Sequence, residues 1–349
     1  MTSIETADMD DTTTTAGRSR LPDPATAPRI AGLRARPFRD RTDYGRLAEL
    51  QGAANLHDGV PYLPTAGTLE VEMEAADGAR SVDDVVLVEV DRAVVAAAGV
   101  KRVVREKTQY EVWGSVDPGW RRRGLGTWLM AWALDHATDR ASREDPGKAV
   151  QVASFAEDSE AGHRALLAMS GFESVRHFFL MQRRSLADVP DVPLPDGFEI
   201  RPVSEAQRRP IIEAENEAFR DHWGHREMTE NTYTQTYDRP ELDTDLWVVA
   251  WAGDEIAGVV QNWIWPEENE RLGVKRGWLE HISVRRPWRR RGLARAITAA
   301  SLIRLREAGM EDAMLGVDSE NANGALGLYE SLGFEIASRA AAYRRDLRR

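Results

Sequence analysis

Two six-residue runs in this chain combine three arginines with small residues, a composition suited to gripping a phosphate anion. They are Arg121-Arg122-Arg123-Gly124-Leu125-Gly126 and Arg289-Arg290-Arg291-Gly292-Leu293-Ala294. Each follows a strand-like run, ending at Val116 and Val284, and each opens a stretch of helical pattern. Helix openings leave backbone N–H groups unpaired and carry partial positive charge, so an anion is stabilised there. Gly292 and Ala294 have little bulk, which lets the backbone come close to a diphosphate. Arg289 and its neighbours would add charge-assisted hydrogen bonds. Arginines that merely meet solvent are the plain alternative, but three cations at a helix start oppose the helix dipole unless an anion sits among them. Two further residues could move protons. The phenol of Tyr329, with an ordinary pKa of ~10, stays protonated at neutral pH and can donate its proton. Glu280, on the run leading to Val284, could take a proton directly or through a water. Alternation along that strand puts Glu280 on the side of Ile282 and turns His281 the other way.

The elements that must hold these residues occur twice. The segment Val116–Gly126 recurs as Val284–Ala294 with an offset of 168, and Met169-Ser170-Gly171-Phe172-Glu173 recurs as Ser331-Leu332-Gly333-Phe334-Glu335 with an offset of 162. The difference fits a longer helix–strand connection around Ala141–Gly147 in the first copy. Leu33–Pro37 and Phe198–Pro202 open the copies, and the Pro/Asp-rich run Asp188–Pro195 reads as a linker with little to pack. The predicted order in the second copy is a strand at Phe198–Val203 and a helix capped by Ser204, then a short helix reaching Tyr237. Strands follow at Asp245–Ala252, Glu255–Trp265 and Gly277–Val284. A helix over Gly292–Ala308, a strand over Ala313–Val317, a helix over Ala322–Leu332 and a terminal pair of strands over Phe334–Leu347 complete it. The fold class is α/β (α+β): two tandem domains, each a mixed, mostly antiparallel sheet flanked by helices. The expected boundaries are a disordered tail over 1–28, a first domain over 29–184, a linker over 185–197 and a second domain over 198–349.

Composition narrows the function classes. The 349 residues carry a net charge of −11, which argues against nucleic acid as a partner. There is no cysteine, which removes disulfides, thiolate metal sites and a cysteine nucleophile. The seven histidines lack metal-ligand spacing, so no metal is expected. No apolar run is long enough to span a bilayer and no secretory signal is visible, so a cytoplasmic, membrane-free protein is expected, as a monomer or homodimer.

The strand–Arg-x-x-Gly-x-Gly/Ala–helix unit, followed by Asn321, Leu328-Tyr329 and Gly333-Phe334, resembles the GNAT superfamily of acetyl-CoA-dependent N-acyltransferases. The resemblance covers both copies, and the tandem layout is similar to that of two-domain members of the mycothiol synthase type. It implies acetyl-CoA as co-substrate and a small-molecule amine as acceptor. It further implies that Ile282, Ser283 and Val284 bind the pantetheine arm through their backbone, that Arg289–Ala294 hold the diphosphate, and that Asn321 lies by the cofactor. Tyr329 would be the general acid. In the first copy Val116 and Arg121–Gly126 would hold a second cofactor, but Leu167 stands in the place of Tyr329, Ser159 in that of Asn321 and Val112 in that of Glu280, so no catalysis is expected there. Acceptor recognition falls by the same resemblance to the segments containing His222, Trp223 and Trp263; tryptophans beside carboxylates suit a cationic or polyhydroxylated amine, and they equally suit core packing. An acyl-CoA-binding sensor without turnover and a transferase for a cysteinyl pseudo-disaccharide remain alternatives at this stage.

Overall fold

A computed structural model of the chain describes residues 21–74, 81–104, 107–224, 227–228, 233, 237, 242–321 and 324–347. In the first half, β1 (Arg34–Pro37), α1 (Thr42–Asp58) and α2 (Ala66–Glu74) precede β2 (Val85–Val90), β3 (Ala93–Val104) and β4 (Thr108–Val116). Then come α3 (Leu125–Glu144), β5 (Val150–Glu157), α4 (Ala161–Met169) and β6 (Glu173–Arg183). The second half repeats the plan with β7 (Glu199–Arg201), α5 (Arg208–Phe219), β8 (Val248–Ala252), β9 (Glu255–Ile264), α6 (Pro266–Leu272) and β10 (Arg276–Val284). It ends with α7 (Leu293–Glu307), β11 (Asp312–Asp318), α8 (Ala325–Ser331) and β12 (Glu335–Asp346).

All twelve strands form one sheet, in the order β1-β2-β3-β4-β5-β12-β6-β11-β10-β9-β8-β7. Strand β2, near one edge, reads as an almost unbroken apolar run with Val85–Val88 all buried, whereas β6 and β12 at the centre are mostly half-buried or exposed. On α7 the residues Leu293, Ala296, Ile297, Ser301, Leu302 and Leu305 recur at helical spacing and are buried against β8–β11. Each of the fully buried leucines among them contributes about 1.5–3 kcal/mol of transfer free energy. The two parallel pairs are short: β4 pairs β5 only over Thr108–Glu111 with Val150–Ala153, and β10 pairs β11 only over Arg276–Trp278 with Asp312–Met314. Beyond those residues the strands part, leaving one wedge-shaped opening in each half.

The halves exchange their last strands. β6, the last strand of the first half, pairs with β11 of the second (Ala313 opposite Arg183, Asp318 opposite Phe178). β12, the end of the second half, pairs with β5 of the first (Ala340 opposite Glu157, Asp346 opposite Gln151), and β6 and β12 pair with each other. Arg176 on β6 clamps Asp318 at 2.8 Å, and Gln182 Nε2 donates to Asp312 at 2.6 Å. Each apolar core is therefore closed by a strand from the other copy, which an in-order repeat does not reveal.

Other expectations change in detail. The tail was expected to run to residue 28, yet Asp23 caps a 3-10 turn at Pro24–Thr26, and its carbonyl accepts a hydrogen bond from the Trp128 indole at 3.1 Å. Residues 1–20 lie outside the described residues. The Asp188–Pro195 run is packed, not slack: Val189, Val192 and Leu194 lie against the second core, and Asp188 pairs with Arg183 at 2.8 Å. One strand, β12, replaces the expected terminal pair. Helix α6 was not expected, although Pro266 at its start, Glu267 and Glu268 in its first turn and Gly273 in the left-handed conformation at its end are ordinary helix signals. The expected short helix is seen only at Tyr233 and Tyr237; its other residues lie outside the described ones.

Candidate active site

The two arginine-rich loops adopt the same backbone course. After β10, a 3-10 turn at Arg286–Trp288 leads to Arg290 (φ 61°) and Gly292 (φ 83°), both left-handed, and α7 begins at Leu293. After β4, Arg122 (φ 62°) and Gly124 (φ 87°) repeat that pattern before α3. Left-handed residues alternating with right-handed or extended ones turn successive N–H groups toward one concavity, an anion-binding nest at a helix start. The first arginine of each triplet, however, is committed to the protein. Arg289 donates to the carbonyls of Val284 (2.9 Å) and Ala218 (2.8 Å) and faces Asp221. Arg121 donates to the Val116 carbonyl (3.1 Å) and forms a two-pronged bond with Asp58 (2.6 and 2.8 Å). These side chains fix the loop to the strand end and to the helix before it, so charge for an anion falls to their neighbours. Arg290 and Arg295 line the opening, whereas Arg291 does not. In the first half Arg122 lines it, and Arg123 lies instead over the Trp120 ring at 4.7 Å.

The second-half opening is a cleft of about 640 Å³. It brings together Glu280, Ile282, Ser283, Val284, Arg290, Gly292, Leu293, Ala294, Asn321 and Tyr329. Phe155, Glu157, Phe178 and Phe179 of the first half's β5 and β6 also reach it, which sequence reasoning could not anticipate without the strand exchange.

A β-bulge shapes the floor. The pairing of β10 with β9 shifts between Glu280 and Ser283, and His281 sits there with φ 47°. The extra residue breaks strict alternation, so His281, expected to face away from Glu280, lines the same cleft. Its ring meets Phe219 edge-on at 5.9 Å, and Nδ1 lies 3.7 Å from Glu215 Oε1. Glu215, on α5, is 3% exposed, and its Oε2 accepts from Gln261 Nε2 at 2.7 Å. Burial pushes the Glu215 carboxyl above the usual carboxylate range, against the pull of His281 and Gln261. Burial disfavours the His281 imidazolium, but the Glu215 carboxylate outweighs it, with help from Glu280, and pushes His281 up to about 9. Although 45% of the His281 side chain is accessible, that surface opens into the cleft. Sequence reading missed Glu215 and Gln261; a glutamate on the buried stripe of α5 is the signal that could have marked the first.

Tyr329 stands on α8 with 7% of its surface exposed and its ring edge-on to Phe334 at 6.1 Å. Burial alone pushes its phenol well above the usual tyrosine value, so it remains protonated. Its short helix is braced from below by Arg183 of the exchanged β6, whose guanidinium donates to the Leu332 carbonyl. Gly333 leaves room for that guanidinium: a Cβ there would lie 1.9 Å from Arg183 Nη1.

The expected acceptor residues separate. His222 lines the cleft, edge-on to Phe219 at 4.7 Å. Trp223 also reaches it but is an anchor between the halves, with Arg344 over its ring at 4.5 Å and Phe178 at 5.9 Å. Trp263 lies in the core instead, 6% exposed and stacked on Trp265 at 5.3 Å. Alternation along β9 turns it onto α5 and away from the cleft.

In the first half, Val116, Arg121, Arg122, Gly124, Leu125 and Gly126 line a cleft of about 460 Å³. The β3–β4 ladder runs without a bulge from Ala96–Val116 to Val104–Thr108. Val112 and Leu167 are core residues, 4% and 0% exposed. Trp113, at the sequence counterpart of His281, packs over Gly99, where a Cβ would meet the indole at 2.6 Å. Among the described residues no group of three or more metal-ligating side chains converges, and no helix is long and apolar enough to cross a membrane.

A duplicated sheet with a splayed parallel pair and an anion nest at the following helix defines a class of coenzyme A-dependent acyltransferases. Known proteins point the same way. The profile of the acetyltransferase (GNAT) family matches residues 60–145 and 208–334. A mycothiol acetyltransferase of Nocardiopsis dassonvillei is 31% identical over 329 residues, 85% of this chain and 91% of that protein. One from Actinosynnema mirum is 30% identical over 223 residues, 63% of this chain and 69% of its own. Among solved structures, a GCN5-related N-acetyltransferase from Sphaerobacter thermophilus superposes with a TM-score of 0.72 at 28% identity, covering 92% of this chain and 97% of that one. A tandem GNAT protein from the clavulanic acid biosynthesis pathway shares the fold at a TM-score of 0.62 and 16% identity, over 90% and 98% of the two chains. The chain belongs to the GNAT acetyltransferase family. It is an acyltransferase, an N-acetyltransferase that uses acetyl-CoA.

Proposed function

We propose that acetyl transfer takes place in the second-half cleft, onto the amine of a small molecule. The observation that carries this reading is a coincidence of groups. Glu280 and Tyr329 line one cleft with the diphosphate nest, whereas in the first half the apolar Val112 lines the matching cleft and Leu167 is sealed in the core. The nest fits a diphosphate because Gly292 supplies a left-handed backbone and Arg290 and Arg295 border it. Ile282–Val284, past the bulge where β10 and β11 have parted, offer backbone groups to the pantetheine arm, with Asn321 across the cleft. Glu280 removes a proton from the acceptor ammonium, directly or through a water. The neutral nitrogen then attacks the thioester carbonyl; an N–C bond forms, the C–S bond breaks, Tyr329 gives its proton to the departing sulfur, and the second nitrogen proton is shed as the amide forms, with Tyr329 reprotonated through water. His281, close to Glu215, keeps a positive charge in the cleft beside Glu280.

The partition that follows is a catalytic half built on residues 198–349 and a non-catalytic half built on 29–184, each completed by the other's last strand. The first-half nest also suits coenzyme A, bound without turnover. A mycothiol-type acceptor is a second reading, supported by the names of the relatives. Thiol release from acetyl-CoA across a panel of amines tests the proposal: turnover should require an amine and collapse in Tyr329→Phe. Equal turnover in that variant would remove the assigned acid.

A further inference from the structure

Beside the main cleft lies a smaller cavity of about 220 Å³ between the two halves. One wall comes from the first half, through Tyr62 and Glu72; the other comes from the second, through Trp265, Glu268 and Trp278. Glu280 lines both this cavity and the catalytic cleft, so the assigned base stands at the junction of the two. The wall from α6 is tied to the first half by Arg271, which donates to the Pro64 carbonyl at 2.9 Å.

The chemistry of the cavity is one-sided. Carboxylates and aromatic rings line it, and no lysine or arginine does among the described residues. Glu268 is 5% exposed; the Leu63 backbone N–H and the Trp278 indole N–H face its carboxyl, but its buried Oε1 has no partner within hydrogen-bond geometry. A buried, unpartnered carboxylate oxygen is costly unless a ligand completes it. The nearest guanidiniums are engaged elsewhere: Arg276 makes a two-pronged bond to Asp312 (2.9 and 2.8 Å), and Arg271 holds Pro64. Burial pushes the Glu268 carboxyl up to about 7, with Arg276 pulling the other way, so a bound cation would restore its charge near neutrality. Indole and phenol faces beside a carboxylate are the surroundings that favour an ammonium group.

Resting on the catalytic reading of the main cleft, we propose that this cavity is a second acceptor subsite that binds a cationic amine through Glu268. The acceptor is then a molecule with two amino groups, one attacking beside Glu280 and the other held as an ammonium between the halves. Spacing between the two amines would be read by the distance from cleft to side cavity, and the first half would contribute to specificity while taking no part in the chemistry.

The test uses the full chain with linear α,ω-diamines of three to eight carbons and monoamines of equal length. In thiol-release kinetics, the best diamine should exceed its matched monoamine at least tenfold in kcat/KM, with the preference peaking at one length. In Glu268→Gln that ratio should fall close to one. In Glu72→Gln, on the open wall, it should fall about threefold, which keeps the test alive if the buried substitution disturbs folding. Calorimetry of the diamine into chain saturated with coenzyme A should show at least tenfold weaker binding in Glu268→Gln. A diamine preference unchanged in both variants, or equal preference for a neutral hydroxylated amine of matched length, overturns the cationic subsite. Glu268-dependent binding of the diamine without acetyl transfer would uphold the subsite and overturn the catalytic reading, so the two failures are told apart.

Discussion

The two halves of this chain share a loop and differ in what faces it. Arg121 and Arg289 make the same tie to the preceding strand end, to Val116 and Val284 respectively, and Gly124 and Gly292 take the same left-handed turn. Away from that loop the likeness stops. The first half has an unbroken ladder that turns the apolar Val112 to its cleft, with Leu167 packed inside; the second has a bulge at Glu280 and His281, which line a cleft together with the buried Tyr329. Cofactor-gripping backbone and proton-handling side chains are thus separable properties. The nest is a matter of φ angles and of an arginine tether, and both halves have it. Both halves have a cleft beside the strand that precedes the loop, and what differs is the side chains turned into it: Val112 in the first, Glu280 and His281 in the second.

The largest expected effect tests that separation directly. Tyr329→Phe removes the proposed proton donor while keeping the ring against Phe334, and kcat should fall by about 10²–10³-fold, within the range for a positioned acid. The reverse change, Leu167→Tyr, should confer no activity on the first half. It overfills a site that is 0% exposed and should cost about 1–3 kcal/mol in denaturant unfolding. A first half that gains turnover through this change would show that the acid alone separates the two. Glu280→Gln should come next, lowering kcat/KM by about 10–100-fold with a smaller change in KM for acetyl-CoA. Losses confined to KM would make Glu280 a binding group and leave the base unassigned.

The arginines sharpen the comparison at the loop. Arg290→Ala should raise the KM for acetyl-CoA about tenfold, the worth of one charge-assisted bond, and leave the unfolding midpoint nearly unchanged. Arg289→Ala should act differently, because it frees the carbonyls of Val284 and Ala218 and removes a partner of Asp221. A stability loss of about 1–3 kcal/mol is expected, and Arg121→Ala in the first half should match it. If Arg289→Ala weakens cofactor binding without changing stability, the tether assignment fails.

How far the sequence reaches follows from these contrasts. Strands, helices and the duplicated order were legible because local periodicity and helix stops set them: the helix over 293–307 and the strand over 276–284 fall within one or two residues of expectation. Arg290 was legible because it sits on one strand–loop–helix course, whereas Asn321 and Tyr329, beyond the next helix and strand, were placed by the family resemblance. The strand exchange was not, since β6 and β12 have the same pattern whichever sheet half they join. Nor was the direction of His281, because one extra residue in a ladder reverses alternation and nothing local in Glu280-His281-Ile282 announces it. Arg289 was read as an anion ligand because residue type alone does not tell a free guanidinium from a tethered one. Trp263 failed for the converse reason: an indole on an apolar strand suits a core as well as a pocket.

The smallest expected effect concerns the bulge itself. In the folded chain His281 is raised from the usual 6.5 to about 9 by Glu215, so the native state holds that proton more tightly than the unfolded state does. The stabilisation this provides is complete below pH 6.5 and disappears as pH rises through about 9. His281→Gln lacks it at every pH. The gap in melting temperature between the natural chain and His281→Gln should therefore narrow steadily across that window, by a few degrees at most, because 45% of the side chain is accessible and water in the cleft screens the pair. The matched change in the first half, Trp113→Gln, removes packing over Gly99 and no titrating group, so its melting deficit should be flat over the same range. A gap for His281→Gln that is equally flat would mean that the Glu215–His281 pair is not the ion pair its 3.7 Å separation indicates. The charge beside Glu280 would then have to come from elsewhere in the cleft.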